Sequence, residues 1–399
     1  MTSEYEIGPI APEEVRPFIV ATVDAFLEEL HDEDVDLWAR MVEPERTLVA
    51  RAGGAIVASS ALFSMQLAVP GGVVPMAGVT AVGVDPVHRR RGLLDRMMRG
   101  HLEAIHARGE EAVSALYASE AGIYGRWGYG QAMRNADLKV ASREGRLLAG
   151  PAPDRPRAGE PPELLAEMRA VYDTVWPTRP GMLARDDLLW EHALRDAEHH
   201  RAGAGRLRAL TCAGGYALYM VRDAETDGRP DGVIELRELV AATTVDAVIL
   251  WEHLLSLALT RRVQWKMAPL DDPIIHMVDN TRAVASVVYD AMYVRLVDIP
   301  RALAQRSYAA PLDVVLEVRD EVCPWNAGRW RLAGTTCEPT SAPADLALGP
   351  LELGAAYLGG TTLAALAAAG RVEERTAGAV AAASHAFKGV REPWCPESF

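Results

Sequence analysis

Arg89-Arg90-Arg91-Gly92 joins a strand-like run to a helix-like one, and it is the first place where this chain offers chemistry. Val79, Val82 and Val84 read as a strand, Asp85-Pro86 breaks the run, and from Leu93 to Ala104 apolar residues return at helical spacing. A helix start exposes N–H groups without partners and carries partial positive charge, which suits an anion such as pyrophosphate. Gly92 lets a ligand approach the backbone closely, and the arginines add charge and donors. An ordinary helix start with a solvated arginine run reads the same residues without a ligand. A nucleic-acid surface is opposed by 41 basic against 55 acidic residues, a net charge of −14, which leaves any basic patch local. His88, beside the arginines, either touches the same anion or lies on the turn surface.

A second segment, Ser119–Gly130 (SEAGIYGRWGYG), follows the apolar run Ala112–Tyr117 and begins with a Ser-Glu pair suited to starting a short helix. Trp127 and Tyr129 read as a packed aromatic turn. Tyr124 is set apart by chemistry: a phenol beside a departing thiolate can protonate it, the two pKa values differing by about 1.5 units in water. The sequence closes on Trp394-Cys395-Pro396-Glu397-Ser398-Phe399. Most chain ends fray, but this one is rich in Trp, Cys and Pro and reads as docked.

The Arg89-x-x-Gly92-x-Leu94 turn resembles the acetyl-CoA pyrophosphate loop, [RQ]-x-x-G-x-[GA], of the GNAT N-acetyltransferases, departing from it at the last small residue. With the SE-x-x-IY-x-R-[WF]-GYG segment and the tail, the whole chain resembles the Eis (enhanced intracellular survival) acetyltransferases. The resemblance implies transfer of acetyl from acetyl-CoA to a primary amine: an aminoglycoside-like aminosugar, a polyamine or a lysine side chain. It implies Tyr124 as the acid and the terminal carboxylate of Phe399 as the base. Val82, Gly83 and Val84 would follow the pantetheine arm, with the backbone of Val82 and Val84 holding it. Arg90, Arg91, Gly92, Leu93, Leu94 and Asp95 would wrap the pyrophosphate, the acidic Asp95 side chain turned away, while Ser119 and Glu120 line the rest of the cofactor site. The family also implies a hexamer. An acyl-CoA- or lipid-binding protein without catalysis is the alternative, and it would need neither Tyr124 nor an unextended Phe399.

A carboxylate base has to be late. An α-carboxyl near ~3.5 and an alkylammonium near ~10.4 differ by about 7 units, about 9 kcal/mol, so proton loss is expected as the nitrogen attacks, directly or through a water. Neither a Ser/His/Asp nor a Cys/His grouping suggests a covalent intermediate. Cys212, Cys323, Cys337 and Cys395 have no C-x-x-C spacing, and the histidines lack metal-ligand spacing, so no metal or disulfide framework is expected.

These residues must be positioned by more than one core, since 399 residues suggest two or three domains. Apolar residues at 49% and charged residues at 24% suit a globular protein rather than a membrane or disordered one. Neither a spanning segment nor a signal-peptide core is expected, and a reducing cytoplasm fits. The expected fold is α/β (α+β): tandem GNAT folds, the second degenerate, then a sterol-carrier-protein-like α+β domain. The expected domains are residues 1–148, binding acetyl-CoA, 149–298, and 299–399 with the catalytic C-terminus. Within the first, Pro12–Leu30 reads as an amphipathic helix, and Thr47–Ala52, Ala55–Phe63, Met65–Val69 and Val73–Met76 as strands. Pro151–Pro162, with five prolines, reads as a linker that continues neither helix nor central strand. The second domain repeats the meander–strand–helix–strand order, but its junction Ala241–Asp246 has neither arginine nor glycine. It is expected to bind no coenzyme and to wall the substrate cleft. The alanine-rich helices of the third domain fit either a lipid tunnel or an ordinary packed core.

Overall fold

Alternating apolar residues around glycine turns build the first sheet. After strand β1 (Glu6–Gly8), apolar positions spaced for one face produce helix α1 (Val15–Phe26), which buries Phe18, Ile19, Thr22 and Ala25. The helix stops before the expected Leu30, because Leu27 turns left-handed at φ 59°. Helix α2 (Asp32–Met41), which the apolar pattern did not announce, leads to β2 (Thr47–Ala52). The expected short strands then fuse into two long ones, β3 (Ala55–Val69) and β4 (Gly72–Val84). The polar Ser64 does not interrupt β3, because its N–H donates to Glu43 Oε1 at 2.8 Å. Helix α3 (Leu93–Arg108), β5 (Val113–Tyr117) and β6 (Gly130–Gln131) complete this part.

The computed structural model describes residues 5–150 and 152–399; residues 1–4 and Pro151, the first of the expected linker, lie outside the described residues. The rest of that linker is not structureless. Strand β8 (Arg157–Gly159) follows β7 (Arg134–Ala141) and takes an edge position, where a proline-rich run loses no central ladder bonds. Pro161 sits in the first turn of α4 (Pro161–Val175), where its missing N–H costs nothing. Then come α5 (Asp187–Ala193), β9 (Arg208–Cys212), β10 (Gly215–Arg222), the short pair β11 (Glu225–Thr226) and β12 (Arg229–Pro230), β13 (Gly232–Ala241), α6 (Thr244–Ser256), β14 (Thr260–Ala268), α7 (Ile274–Met277) and β15 (Val284–Asp290).

Strand β16 (Met292–Leu296) returns to the first sheet, whose order is β1-β2-β3-β4-β5-β16-β6, while β7 belongs to the second, β15-β7-β14-β13-β10-β9-β8. The two sheets thus repeat one order and each takes a strand from the far side of the chain crossing. The chain passes from one compact unit to the other after Ala132 and returns after Ala291. One compact unit holds the chain up to Ala132, Met292–Val390 and Phe399; the other holds Met133–Ala291 and Arg391–Ser398.

Within the first unit, helix α8 (Ile299–Ala304) opens the third domain. Its five-stranded sheet runs β19 (Thr336–Pro339), β18 (Gly328–Ala333), β17 (Asp313–Val318), β20 (Leu346–Leu348), β21 (Glu373–Glu374), with helices α9 (Pro350–Tyr357), α10 (Leu363–Ala368) and α11 (Ala379–Phe387). Its interior carries a buried guanidinium: Arg306 donates to the carbonyls of Ala356, Tyr357 and Phe387 at the ends of α9 and α11, and lies 4.7 Å from the Phe387 ring centroid. Among the described residues no helix is long and apolar enough to cross a membrane.

Candidate active site

The parallel strands β4 and β5 pair only from Met76 to Gly78, opposite Val113 to Ala115. Beyond Gly78 they share no further register among the described residues, and one edge of Val79–Val84 faces the gap. A bulge re-aims that edge. Ser59 pairs with Gly83 and Ala61 with Thr80, so Ala81 and Val82 together oppose Ser60. Ala81 has φ 53°, a left-handed conformation unusual for a residue with a Cβ. Its carbonyl accepts from Ser59 Oγ at 2.9 Å, and Ser59 is tied to α1 by Thr22 at 3.0 Å. Val82 and Val84 lie on this stretch beyond the β5 pairing. A Cβ on Gly83 between them would stand 2.7 Å from the Ala25 Cβ, so its bare face serves the packing of α1.

After β4 the chain turns through Asp85–Arg91. Asp85 Oδ1 accepts from the Val87 N–H at 2.9 Å, and Arg89 Nε donates to the Val84 carbonyl at 3.2 Å. His88 meets the Tyr5 hydroxyl at 2.9 Å, and the Arg91 guanidinium lies 5.8 Å from the Tyr5 ring centroid. Arg90 and Gly92 both take positive φ, 63° and 74°. Gly92 is the N-cap of α3, no side chain among the described residues caps that end, and open space surrounds the position of a Cβ. Leu93 is buried and Leu94 half-buried in the core, leaving their amides as what they can offer an anion. Asp95, in the same first turn, is engaged elsewhere: Oδ1 accepts from Trp127 Nε1 and Oδ2 from Arg99 Nε, both at 2.9 Å. Burial pushes the Asp95 carboxyl up, but those two bonds and the nearby guanidinium charges outweigh it and hold the pKa below the usual value.

Ser119 and Glu120 are exposed on a turn after β5, not a helix; the helical part is a single 3₁₀ turn at Tyr124–Trp127. Tyr124 is buried, with ring centroids 5.9 Å from Trp127 and 6.3 Å from Tyr129. Trp127 and Tyr129 are core, the latter hydroxyl 2.8 Å from Ser114 Oγ. Burial, with a smaller contribution from the Glu120 charge, pushes the Tyr124 hydroxyl up to about 12.

The end of the chain is not frayed. The Phe399 ring meets Tyr117 edge-on at 5.3 Å and rests on Gly78, where a Cβ would come within 2.9 Å of its Cε2 and 2.8 Å of Met65 Sδ. Gly78 is the last residue paired before β4 and β5 part, so the terminal residue sits at the start of the gap. Composition did not single out Gly78, Met65 or the Ala81 bulge; a glycine inside a valine-rich strand was the only available signal.

Residues 6–132 and 181–296 each match an acetyltransferase (GNAT) domain, and residues 299–396 match a sterol carrier protein domain. An uncharacterized N-acetyltransferase of Streptomyces coelicolor is 42% identical over 381 residues, covering 92% of this chain and 90% of its own. The N-acetyltransferase Eis of Mycobacterium bovis is 35% identical, covering 90% of each chain. The crystal structure of Eis1 from Mycobacterium abscessus superposes with a TM-score of 0.88 at 30% identity, covering 99% of this chain and 100% of that one.

Proposed function

Because the chain belongs to the Eis family of GNAT N-acetyltransferases, we propose that it moves the acetyl group of acetyl-CoA onto primary amines such as aminosugars, polyamines or lysine side chains. The observation that carries this reading is the seat of Phe399 on Gly78, which brings the C-terminal residue to the mouth of the β4–β5 gap. The uncapped start of α3 fits a pyrophosphate: among the described residues no capping side chain meets the amides following Gly92, and the arginine turn brings cationic charge beside them. Coenzyme binding is assigned to the first GNAT domain alone, through the backbone of Val82 and Val84, the turn Arg90–Leu94, and Ser119 and Glu120 at the rim.

In the proposed step the amine lone pair attacks the thioester carbonyl, the N–H proton passes to the Phe399 carboxylate, the C–S bond breaks, and the leaving thiolate is met by the Tyr124 hydroxyl. With Tyr124 near 12, donation to a thiol of pKa ~8.5 is uphill by ~3.5 units, about 5 kcal/mol. That is harder than the near-balance of the free groups, so Tyr124 acts as a hydrogen-bond donor that steadies the developing thiolate and completes transfer only as the sulfur is desolvated. Its raised pKa keeps the donor protonated across the working pH range.

Thiol release with an amine panel tests the reading, with the Phe399 deletion beside wild type. Turnover should fall by about 10³-fold, within the span of general acid–base effects, while acetyl-CoA affinity is kept. Undiminished acetylation after deletion removes the carboxylate from the mechanism; coenzyme binding without turnover on any amine supports the binding protein instead. Use of acetyl-CoA supports a cytoplasmic enzyme, which cell fractionation tests. For the hexamer, the edge strand β15 supports self-association, with Val287 65% exposed and Val288 and Tyr289 exposed beside it; light scattering giving a monomer mass overturns it.

A further inference from the structure

The residues just before Phe399 are among the most heavily tied in the second unit. Arg185 lies 4.2 Å from the Tyr172 ring centroid and 4.6 Å from that of Trp190. It grips Glu238 with both terminal nitrogens, at 2.9 and 2.5 Å, and Glu397 through Nε. The three side chains are 1%, 2% and 3% exposed. Cys395 Sγ donates to Glu397 Oε2 at 3.1 Å, and the Tyr216 hydroxyl donates to Glu238. One guanidinium thus serves two buried carboxylates. Burial pushes Glu397 up against the pull of Arg185, and the Glu238 charge adds to the rise.

An ion pair so deep is a poor way to gain stability, because desolvation offsets the attraction and an apolar replacement is often as good. Its place in the chain suggests another purpose. Two residues after Glu397 the chain reaches Phe399, a span of about 7 Å at full extension; from Trp394 the span is about 17 Å. Trp394 is the anchor before it, with its N–H donating to Pro180 O at 2.9 Å and its indole to Met267 O at 2.7 Å. Releasing Glu397 would let Phe399 explore a volume about fourteenfold larger by the cube of those lengths, diluting the terminal carboxylate accordingly.

We propose that Glu397 is a positioning residue: its buried pair with Arg185 latches the tail and so shortens the tether on which Phe399 ranges during the acetyl transfer proposed above, on which this inference rests.

Glu397→Ala, with Glu397→Gln as the milder change should alanine fail to fold, is compared with wild type in two measurements. Carboxypeptidase A should release Phe399 at least tenfold faster from the variant, and kcat should fall about tenfold with KM for acetyl-CoA unchanged. The Phe399 deletion closes a cycle: in that background the Glu397 change should cost no further turnover. Wild-type protection from carboxypeptidase overturns the latch, and so does an equal loss of turnover with and without Phe399. If deletion of Phe399 leaves turnover intact while the variant still loses protection, the latch stands and the role of the carboxylate falls.

Discussion

The two GNAT domains start their crossover helices in opposite ways. Helix α3 begins at Gly92, whose neighbours are arginines and whose first-turn acid, Asp95, turns outward to Trp127 and Arg99. Helix α6 begins at Thr243, and its first-turn acid, Asp246, folds back: Oδ2 accepts from the Thr243 N–H at 3.2 Å and from its hydroxyl at 2.5 Å, while Oδ1 accepts from the Gly214 N–H at 3.0 Å. An acid stands at the same helical position in both. In the second domain it spends the helix start on an internal carboxylate; in the first it leaves the start open. A cavity of about 220 Å³ remains where β13 ends above α6, and Trp394 and Arg391 of the tail line it. The duplicated fold thus leaves this helix start open in one copy and closes it with its own carboxylate, beside its own chain end, in the other.

The largest expected contrast between the copies is in pH dependence. His101, buried in the first unit with Nε2 2.8 Å from Ser60 Oγ, is held down to about 3 by burial, with Arg46 repulsion added. Its folded pKa is depressed, so its contribution to stability is whole above the unfolded value near 6.5 and is lost as pH falls toward 3, up to about 5 kcal/mol. Asp272, buried in the second unit, is pushed up to about 6 by burial, against the Ile274 N–H bond and Arg179. Its raised carboxyl means that stability falls as pH rises from about 4 to 6, the opposite slope. Denaturant titrations across this range should show the acid-side loss removed in His101→Gln and the rising-pH loss removed in Asp272→Asn. Parallel slopes in both variants would mean that neither group is buried as described.

Next in size is Tyr124→Phe, expected to lower turnover about 10²-fold while acetyl-CoA affinity by calorimetry stays within error. Unchanged turnover would leave the second domain, which has no matched donor assigned, no less equipped than the first. Gly92→Glu should weaken acetyl-CoA binding by roughly 30-fold, about 2 kcal/mol from backbone strain at positive φ and charge repulsion at the helix start. Gly92→Asn, which tolerates that conformation, should retain most of the affinity. Equal losses in both would point to the glycine's lack of a side chain rather than to its backbone and charge.

Much of this contrast was legible. Arg89-x-x-Gly92 against Ala241–Asp246 already separated a cationic glycine turn from one with neither arginine nor glycine, because helix starts are decided by a few local residues. The two sheets were legible as repeats for the same local reason. The strand exchange was not: β7 and β16 are apolar alternations that would fit either sheet, and only long-range pairing assigns them. The bulge at Ala81 left no trace, since alanine has no preference for positive φ and the cause is a serine on the neighbouring strand. The latch was hidden differently. Glu397 in a Trp-Cys-Pro tail reads as a solvated acid, and its partner Arg185 lies more than two hundred residues away.

The smallest effect is the most direct probe of the second helix start. Thr243→Ala removes a hydroxyl that accepts from the Asp246 N–H at 3.3 Å and donates to its carboxylate. Loss of such a cap costs about 1 kcal/mol and should lower the melting temperature by a few degrees. Coenzyme stoichiometry by calorimetry should remain one per chain, because Asp246 and the Gly214 N–H still occupy each other. Asp246→Ala frees those amides, and there the comparison can fail. If the charge of Asp246 alone keeps a phosphate away, a second coenzyme should bind; if the tail also fills the place, the count should stay at one. With Arg391 and Trp394 already lining that space, one is the expected number.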